Sequence, residues 1–465
     1  MLTKALGAGG ALIVATALAT SGGPYGASPA AAAISPPATP AKVGPARLGS
    51  VPAGQRPPQV VVVAFDDSGN TFNGTAGHFS MFDYWLSVAR NYDARMTFFL
   101  SGTQLLTSQT QHTYDAPQWG PANMNMGMLV PHIESLPGES ETDAVRHEMT
   151  DLKRAHAEGN EIGTHFMGHI CGSGKGSVGS FSQADWEQDL QQFYKAVDNA
   201  NMTNHLNPPI DLGFKGEDVV GDRTPCLEGN FRNLYPVIAK HGFTYETSPT
   251  PEIRWPYRGA SDTGPSNLWV FPLATVPMYG SSHYDLDMDW NICDYHEKDC
   301  LDAPVDKAAS ARWSQQALDT YRTYFEKSYT GDRAPLFIGD HFEMWHNGAY
   351  TQALTSFVKE TCNKPEVRCV SYQEAASWLN STPTAQLDTW RTGAFPHYAG
   401  AKPPAYGSPV PDVLMPAPWP VKAEPVKAEP AKPGQANSTQ PGPPQAKPER
   451  PKSEPAKTAA PTPIR

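Results

Sequence analysis

The chain has 465 residues, 18% of them charged, a net charge of −11 and 46 prolines. It is too long for one average domain, and it is acidic where a nucleic-acid binder needs a basic face. The charge is uneven: residues 1–58 carry four bases and no acid, residues 402–465 are also +4, and the segment between is left at −19. A neutral glycan suits that segment as a partner and nucleic acid does not, while the basic flanks suit either contact with an anionic cell-envelope polymer or simple solvation.

Residues 1–33 begin with Lys4, continue through an apolar run from Ala5 to Thr20 and reach Ala30 to Ala33. This pattern predicts an export signal, and the glycine-broken run falls short of the ~20 residues of a spanning helix. A Pro/Ala-rich linker is expected over 34–58. Strands are then predicted at Gln59–Phe65, Met96–Ser101, Asn160–Thr164, Val219–Arg223, Phe243–Thr247, Leu268–Leu273, Leu336–Asp340 and Val367–Ser371. Helical patterns alternate with them at Phe79–Asn91, Asp143–Glu158, Gln183–Asn201, Phe231–His241, Lys307–Ser328, Tyr350–Thr361 and Tyr372–Leu379. Ser182 and Asp185 form a capping-box start for the third helix. Gly102–Gly138 has no sustained period and reads as a long loop over one face. Eight strands alternating with helices predict an α/β domain over 59–385, a distorted or incomplete (β/α) barrel with disordered N- and C-terminal flanks. Residues 402–465 hold 18 of the prolines, and Val-Lys-Ala-Glu-Pro occurs in tandem at 421–425 and 426–430. Such a composition buries too little apolar surface to offset its ordering entropy, so 386–465 is expected to be an extended tail.

There are six cysteines, an even number that suggests disulfides in an exported chain. The two close pairs, Cys293 with Cys300 and Cys362 with Cys369, are expected to bridge locally, which leaves Cys171 for Cys226. No C-x-x-C spacing points to a thiolate zinc site.

The chemistry-bearing residues fall at predicted strand ends, where barrels of this class place their sites. Asp66 and Asp67 follow the first strand. His165 follows the third and stands i, i+4 from His169, a spacing that puts two rings on one helical face. Asp66, Asp67, His165 and His169 together could hold a metal. Arg223-Thr-Pro225 closes a further strand, and His341 closes another. Asp340-His341-Phe-Glu343-Met-Trp345-His346 also gathers two acids and two histidines, but a spacing of five does not align the histidines on one face, and His346 and Glu343 read as rim or surface polarity. Six of the eleven tryptophans, those at 119, 255, 269, 290, 313 and 345, offer faces that could stack on sugar rings but read mainly as core. Trp290 and Trp345 flank the motifs and read as groove-lining.

Taken together, Phe65-Asp66-Asp67, His165-x-x-x-His169, Arg223-Thr-Pro225, Asp287-Met-Asp289-Trp290 and His341 resemble the polysaccharide deacetylase family, in particular its chitin deacetylase branch. The resemblance spans roughly 59–380 and includes Ala94-Arg-Met-Thr-Phe-Phe-Leu100 and Gly159-Asn-Glu-Ile-Gly-Thr-His165. It implies that Asp67, His165 and His169 bind a divalent ion, most plausibly zinc, through two imidazoles and a carboxylate that leave open positions. It further implies Asp66 as general base, Arg223 as its orienting cation, the backbone N–H of Cys226 after Pro225 as an oxyanion donor, and His341 as general acid kept charged by Asp287 or Asp289. Phe166, Cys226 and Gly339 depart from the family's usual hydroxyl residue, aromatic and leucine at those places, and Asp340 is a further candidate partner for His341. The implied activity is hydrolysis of N-acetyl groups on an N-acetylglucosamine-containing glycan outside the cell, in the periplasm or at the cell wall. The rival readings are a catalytically degenerate carbohydrate-binding or wall-associated protein and a hydrolase of a non-sugar amide or ester.

Overall fold

Gln59–Asp66 is buried along its entire length, as a strand covered on both faces must be. Its side chains alternate: Val61, Val63 and Phe65 join a cluster under the helices, whereas Val60, Val62 and Ala64 join a second cluster inside the sheet's curve. The structure is a computed structural model that describes residues 48–69, 80–121, 132–135, 138–261, 264–300 and 306–396.

In chain order the first half contains β1 (Gln59–Asp66), α1 (Met81–Asn91), β2 (Thr97–Leu100), β3 (Asp115–Ala116), β4 (Gly120–Pro121), α2 (Glu141–Ala157), β5 (Glu161–Thr164) and α3 (Gln183–Thr203). There follow β6 (Gly221–Asp222), α4 (Phe231–Lys240), β7 (Tyr245–Glu246), β8 (Tyr257–Ser261), β9 (Gly264–Val270), β10 (Thr275–Pro277), β11 (Tyr284–Leu286) and α5 (Asp289–His296). The last elements are α6 (Lys307–Thr330), β12 (Leu336–His341), α7 (Trp345–Thr361), β13 (Val367–Cys369), α8 (Tyr372–Ser381) and α9 (Thr384–Arg391).

The main sheet runs β12-β1-β2-β5-β6-β7-β9-β8, with β13 on the lower half of β1. All of these pairings are parallel except β8 with β9. Past β9 the sheet curls back toward β12 without a regular ladder. The Asp287 N–H donates to Ala274 O (2.9 Å), the Gly339 N–H donates to Asp287 O (3.1 Å), and Met288 makes a single parallel bridge to Gly339. The result is the expected α/β architecture, a (β/α) barrel whose closure is irregular.

Aromatics fill the barrel. Tyr372 stacks on Tyr245 (5.1 Å between centroids) and on Phe337 (5.4 Å), with Phe99 and Phe271 beside it. Each such buried ring stabilises the fold by roughly 1.5–3 kcal/mol. Outside, α6 and α7 pack on each other and α1 packs on α2 and α7.

All eight predicted strands are present, and α3 carries the predicted Ser182/Asp185 capping box. The three expected disulfides form. Within Gly102–Gly138 the described residues hold only short 3₁₀ turns and the β3–β4 ribbon. The predicted sequence elements omitted α5, α9 and the antiparallel partner β8, and α7 starts earlier than expected, through the left-handed residues His346, Asn347 and Gly348.

The domain edges also need correction, because the boundary drawn at 385 cuts through α9. Trp390 is buried, stacks on Trp378 (5.3 Å) and Trp255 (6.0 Å), and donates to Gln55 O (3.0 Å). Arg56, in the expected linker, bonds Glu366 (2.9 and 3.1 Å) and donates to Pro396 O (2.7 Å). The folded unit therefore reaches from Leu48 past Phe395. The expected signal segment and the repeats at 421–430 lie outside the described residues. Among those described, no helix is long and apolar enough to cross a membrane.

Candidate active site

Two parallel strands bring the first pair of groups together. β1 and β12 are in register with Asp66 opposite His341, so a carboxylate and an imidazole emerge side by side at the carboxyl end of the sheet.

Asp66 is buried and receives Arg223 Nη1 at 2.8 Å. The guanidinium is itself fully buried and donates to Thr247 O (3.3 Å) and Tyr372 Oη (3.0 Å), with its carbon 4.8 Å from the centroid of the Phe99 ring. Burial, the largest single influence, would lower the pKa of Arg223, yet the Asp66 carboxylate, with Tyr372 and Tyr245, outweighs it and the net direction is upward. A buried charge with this many partners is fixed in place, and a partner removed would leave the other uncompensated.

Asp67 turns the opposite way because its backbone is left-handed (φ 50°), a conformation that aspartate tolerates better than most residues. Its Oδ1 accepts from Ser101 Oγ (2.8 Å), and its Oδ2 lies 3.2 Å from His169 Nε2. Burial pushes this carboxyl up, but His169, His165 and His341 together hold it far below the ordinary range. His165 is buried and its Nδ1–H donates to Arg223 O (2.8 Å), which leaves Nε2 with its lone pair for other use. Burial lowers the His165 pKa and, despite Asp66 and Asp67, wins; in His169 burial is overcome by Asp67 and the pKa rises.

The donor atoms of Asp67, His165 and His169 all lie within 4.8 Å of one another. Two neutral-capable imidazoles, one of them fixed in tautomer by a backbone carbonyl, and a carboxylate held ionised are a donor set that fits a divalent ion. The turn between the histidines is braced without the absent hydroxyl residue: Phe166 is left-handed (φ 63°), its N–H donates to Thr164 Oγ1 (2.9 Å), and its ring packs on Trp186 (4.8 Å).

His341 Nδ1–H donates to Asp289 Oδ1 (2.7 Å), while Asp289 Oδ2 accepts the His341 backbone N–H (3.0 Å). Burial, the largest single influence, would depress this imidazole, but Asp289, joined by Asp66 and Asp67, outweighs it and pushes the pKa up to about 9. Asp287 is the correction. It makes no side-chain hydrogen bond among the described residues, and burial drives its carboxyl well above the usual range. Asp340 behaves likewise, so of these three acids it is Asp289 that hydrogen-bonds the His341 ring.

The remaining candidates surround this centre. Pro225 is buried and opens the 3₁₀ turn Pro225–Leu227, in which Cys226 is left-handed (φ 53°). The Cys171–Cys226 disulfide ties that turn to the segment after His169. Trp345 lies 5.5 Å from the His341 ring, and Trp290 is 41% exposed. His346 is removed from the site: it is buried against Trp313 (4.7 Å) and the Cys293–Cys300 sulfurs. Sequence reasoning missed Ser101, Thr247 and Tyr372, none of which belongs to a motif, and gave no role to Met288 within Asp287-Met-Asp289-Trp290. A Cβ on Gly339 would meet Met288 Cε at 2.7 Å, so Met288, with Leu273, occupies the space a side chain there would take.

No protein-family model and no curated protein matches the chain. Among solved structures, the chain is similar to a candidate polysaccharide deacetylase from Mycobacterium smegmatis, at 15% identity over 78% of this chain and 100% of that one, with a TM-score of 0.41. It is similar also to a polysaccharide deacetylase from Bacillus cereus (14% identity, 68% and 92% covered, TM-score 0.31). A third likeness is to the chitin deacetylase of the fungal pathogen Colletotrichum lindemuthianum (16% identity, 66% and 87% covered, TM-score 0.29).

Proposed function

We propose that the protein is an exported, metal-dependent hydrolase that removes acetyl groups from an N-acetylglucosamine-containing polysaccharide, chitin-like or peptidoglycan, and releases acetate. One observation carries the reading: a carboxylate clamped by a buried guanidinium and an imidazole clamped by a carboxylate stand opposite each other across β1 and β12, beside three convergent metal donors. Three disulfides support an oxidising, extracytoplasmic location.

Asp67, His165 and His169 would hold the ion, zinc by the mixture of imidazole and carboxylate donors. When bound, such an ion supplies polarisation of an acyl carbonyl and a more acidic water. The protein's own groups do the rest. Asp66, aimed by the buried Arg223 guanidinium, takes a proton from the attacking water. The Cys226 N–H, at the tip of the turn after Arg223, donates to the oxygen on which negative charge develops. His341, protonated because Asp289 holds it so, gives its proton to the departing sugar nitrogen. Met288 and Leu273 supply an apolar wall for the acetyl methyl in place of a side chain at residue 339, and Trp290 and Trp345 offer aromatic faces to the sugar rings.

The test is metal analysis of the purified full chain together with acetate release from chitin oligomers and from peptidoglycan, with and without chelator. Stoichiometric zinc and chelator-sensitive release are expected. Undiminished release by metal-free protein would end the proposal.

A further inference from the structure

His169 faces two ways. Its Nε2 points at Asp67 (3.2 Å), whereas its Nδ1 has Cys171 Sγ as its neighbour at 3.6 Å. In His165 the equivalent second nitrogen has a backbone carbonyl, the usual arrangement for a metal-binding histidine. His169 has sulfur there instead, and a second donor cluster results: the donor atoms of His169, Cys171 and Cys226 lie within 4.8 Å of one another. His169 belongs to both clusters.

In the oxidised protein the two sulfurs are joined and are poor ligands. As thiolates they would need to stand about 3.8 Å apart on a tetrahedral zinc with 2.3 Å bonds, a separation that fits their 5.7 Å Cα–Cα spacing. Cys226 is exposed and Cys171 half-buried, so a soluble reductant reaches the bond.

We propose that the Cys171–Cys226 disulfide masks a second metal position, formed on reduction by Nδ1 of His169 and two thiolates, which competes with the Asp67–His165 position for the same imidazole. A dithiol reductant supplies two electrons and two protons, the S–S bond breaks to two thiols, and the reductant closes to its own disulfide. Binding of a thiophilic divalent cation then releases both protons. A neutral imidazole has one free lone pair, so the two positions are alternatives, and the softer sulfur set draws zinc. Reduction therefore withdraws His169 from the first position and also frees the Cys226 turn. The consequence for activity rests on the function proposed above; the existence of the sulfur position does not.

Cobalt(II) reports the difference, because thiolate ligation gives a near-ultraviolet sulfur-to-cobalt charge-transfer band that imidazole and carboxylate do not. The full chain is reduced with a dithiol, freed of it anaerobically and titrated with cobalt. The band is expected on reduction of the native protein and of Asp67→Asn, to persist in Cys293→Ser and Cys362→Ser, and to vanish in Cys171→Ser. His169→Ala, which retains the disulfide, is expected to weaken cobalt binding by the reduced protein at least tenfold. Acetate release should fall on reduction and return on reoxidation. Absence of the band from reduced native protein, its survival in Cys171→Ser, or unchanged affinity in His169→Ala would overturn the proposal. A band in the reduced protein, where the native oxidised protein releases no acetate, would sustain the sulfur position while removing the function.

Discussion

Two sets of buried or half-buried carboxylates follow opposite rules. Asp66, Asp67 and Asp289 each have strong donors: Arg223, Ser101 with His169, and His341 with its own backbone N–H. Asp287 and Asp340, their neighbours in sequence, together with Asp222 and Glu148, accept no side-chain hydrogen bond among the described residues, and burial raises all four carboxyls well above the usual range. Within the first set Asp67 is held far below the ordinary carboxylate range by the histidines around it, the reverse of what burial does to the second. Nearness to the site therefore does not decide which acid works; the donors around each carboxylate do.

The contrast is sharpest at Asp66. Asp66→Asn keeps the shape and removes the base, and kcat for acetate release should fall by about 10²–10⁴-fold. If the protein only retains glycan, retention will be unchanged and no release will have been present to lose. Arg223→Met removes the partner rather than the acid. It leaves Asp66 buried and unpaired, and chemical denaturation should register a loss of about 3–5 kcal/mol; a loss below 1 kcal/mol would mean that the pair is not the clamp described.

A paired experiment on Asp289 and Asp287 tests the comparison directly. His341 is raised from 6.5 to about 9, so its bound proton, and with it the stabilising contact, is fully present below pH 6.5 and lost as pH rises through 9. Asp289→Asn should move the alkaline limb of the kcat profile down toward 6.5 and lower kcat by roughly 10²-fold, whereas Asp287→Asn should leave the limb in place. Equal shifts in both would erase the distinction. The smallest effect is one of stability. A carboxyl raised in the folded state is harmless below its unfolded value, near 3.8 for Asp287, and destabilises as pH climbs from there toward the folded value, by about 1.4 kcal/mol per unit. Asp287→Asn should flatten that decline, seen as a gain in denaturation midpoint that is larger at pH 7 than at pH 5.

The fold was legible where burial dictates composition. Val60–Phe65 and Leu336–Ile338 are continuous apolar runs because both faces are covered. The elements that were missed lack that signal. α5 has no side-chain cap and only three buried residues, and it is stapled by Cys293–Cys300. β8 is an antiparallel edge with an irregular register. In the site, the residues of the motifs were readable but their orientation was not: as strand positions Asp287 and Asp289 would share a face, yet Met288 ends the extended segment and Asp289 opens a helix, so the two carboxyls diverge. Tyr372 was invisible for a different reason. It lies 149 residues from Arg223 in sequence and looks like any aromatic at the start of a helix.

The bonds from Arg56 to Pro396 and from Trp390 to Gln55 bring the beginning and the end of the folded unit together at the foot of β1, opposite the end from which Asp66 and His341 emerge. A circular permutant that joins Leu48 to Pro396 through a short linker and opens at an exposed loop tip should therefore retain the barrel.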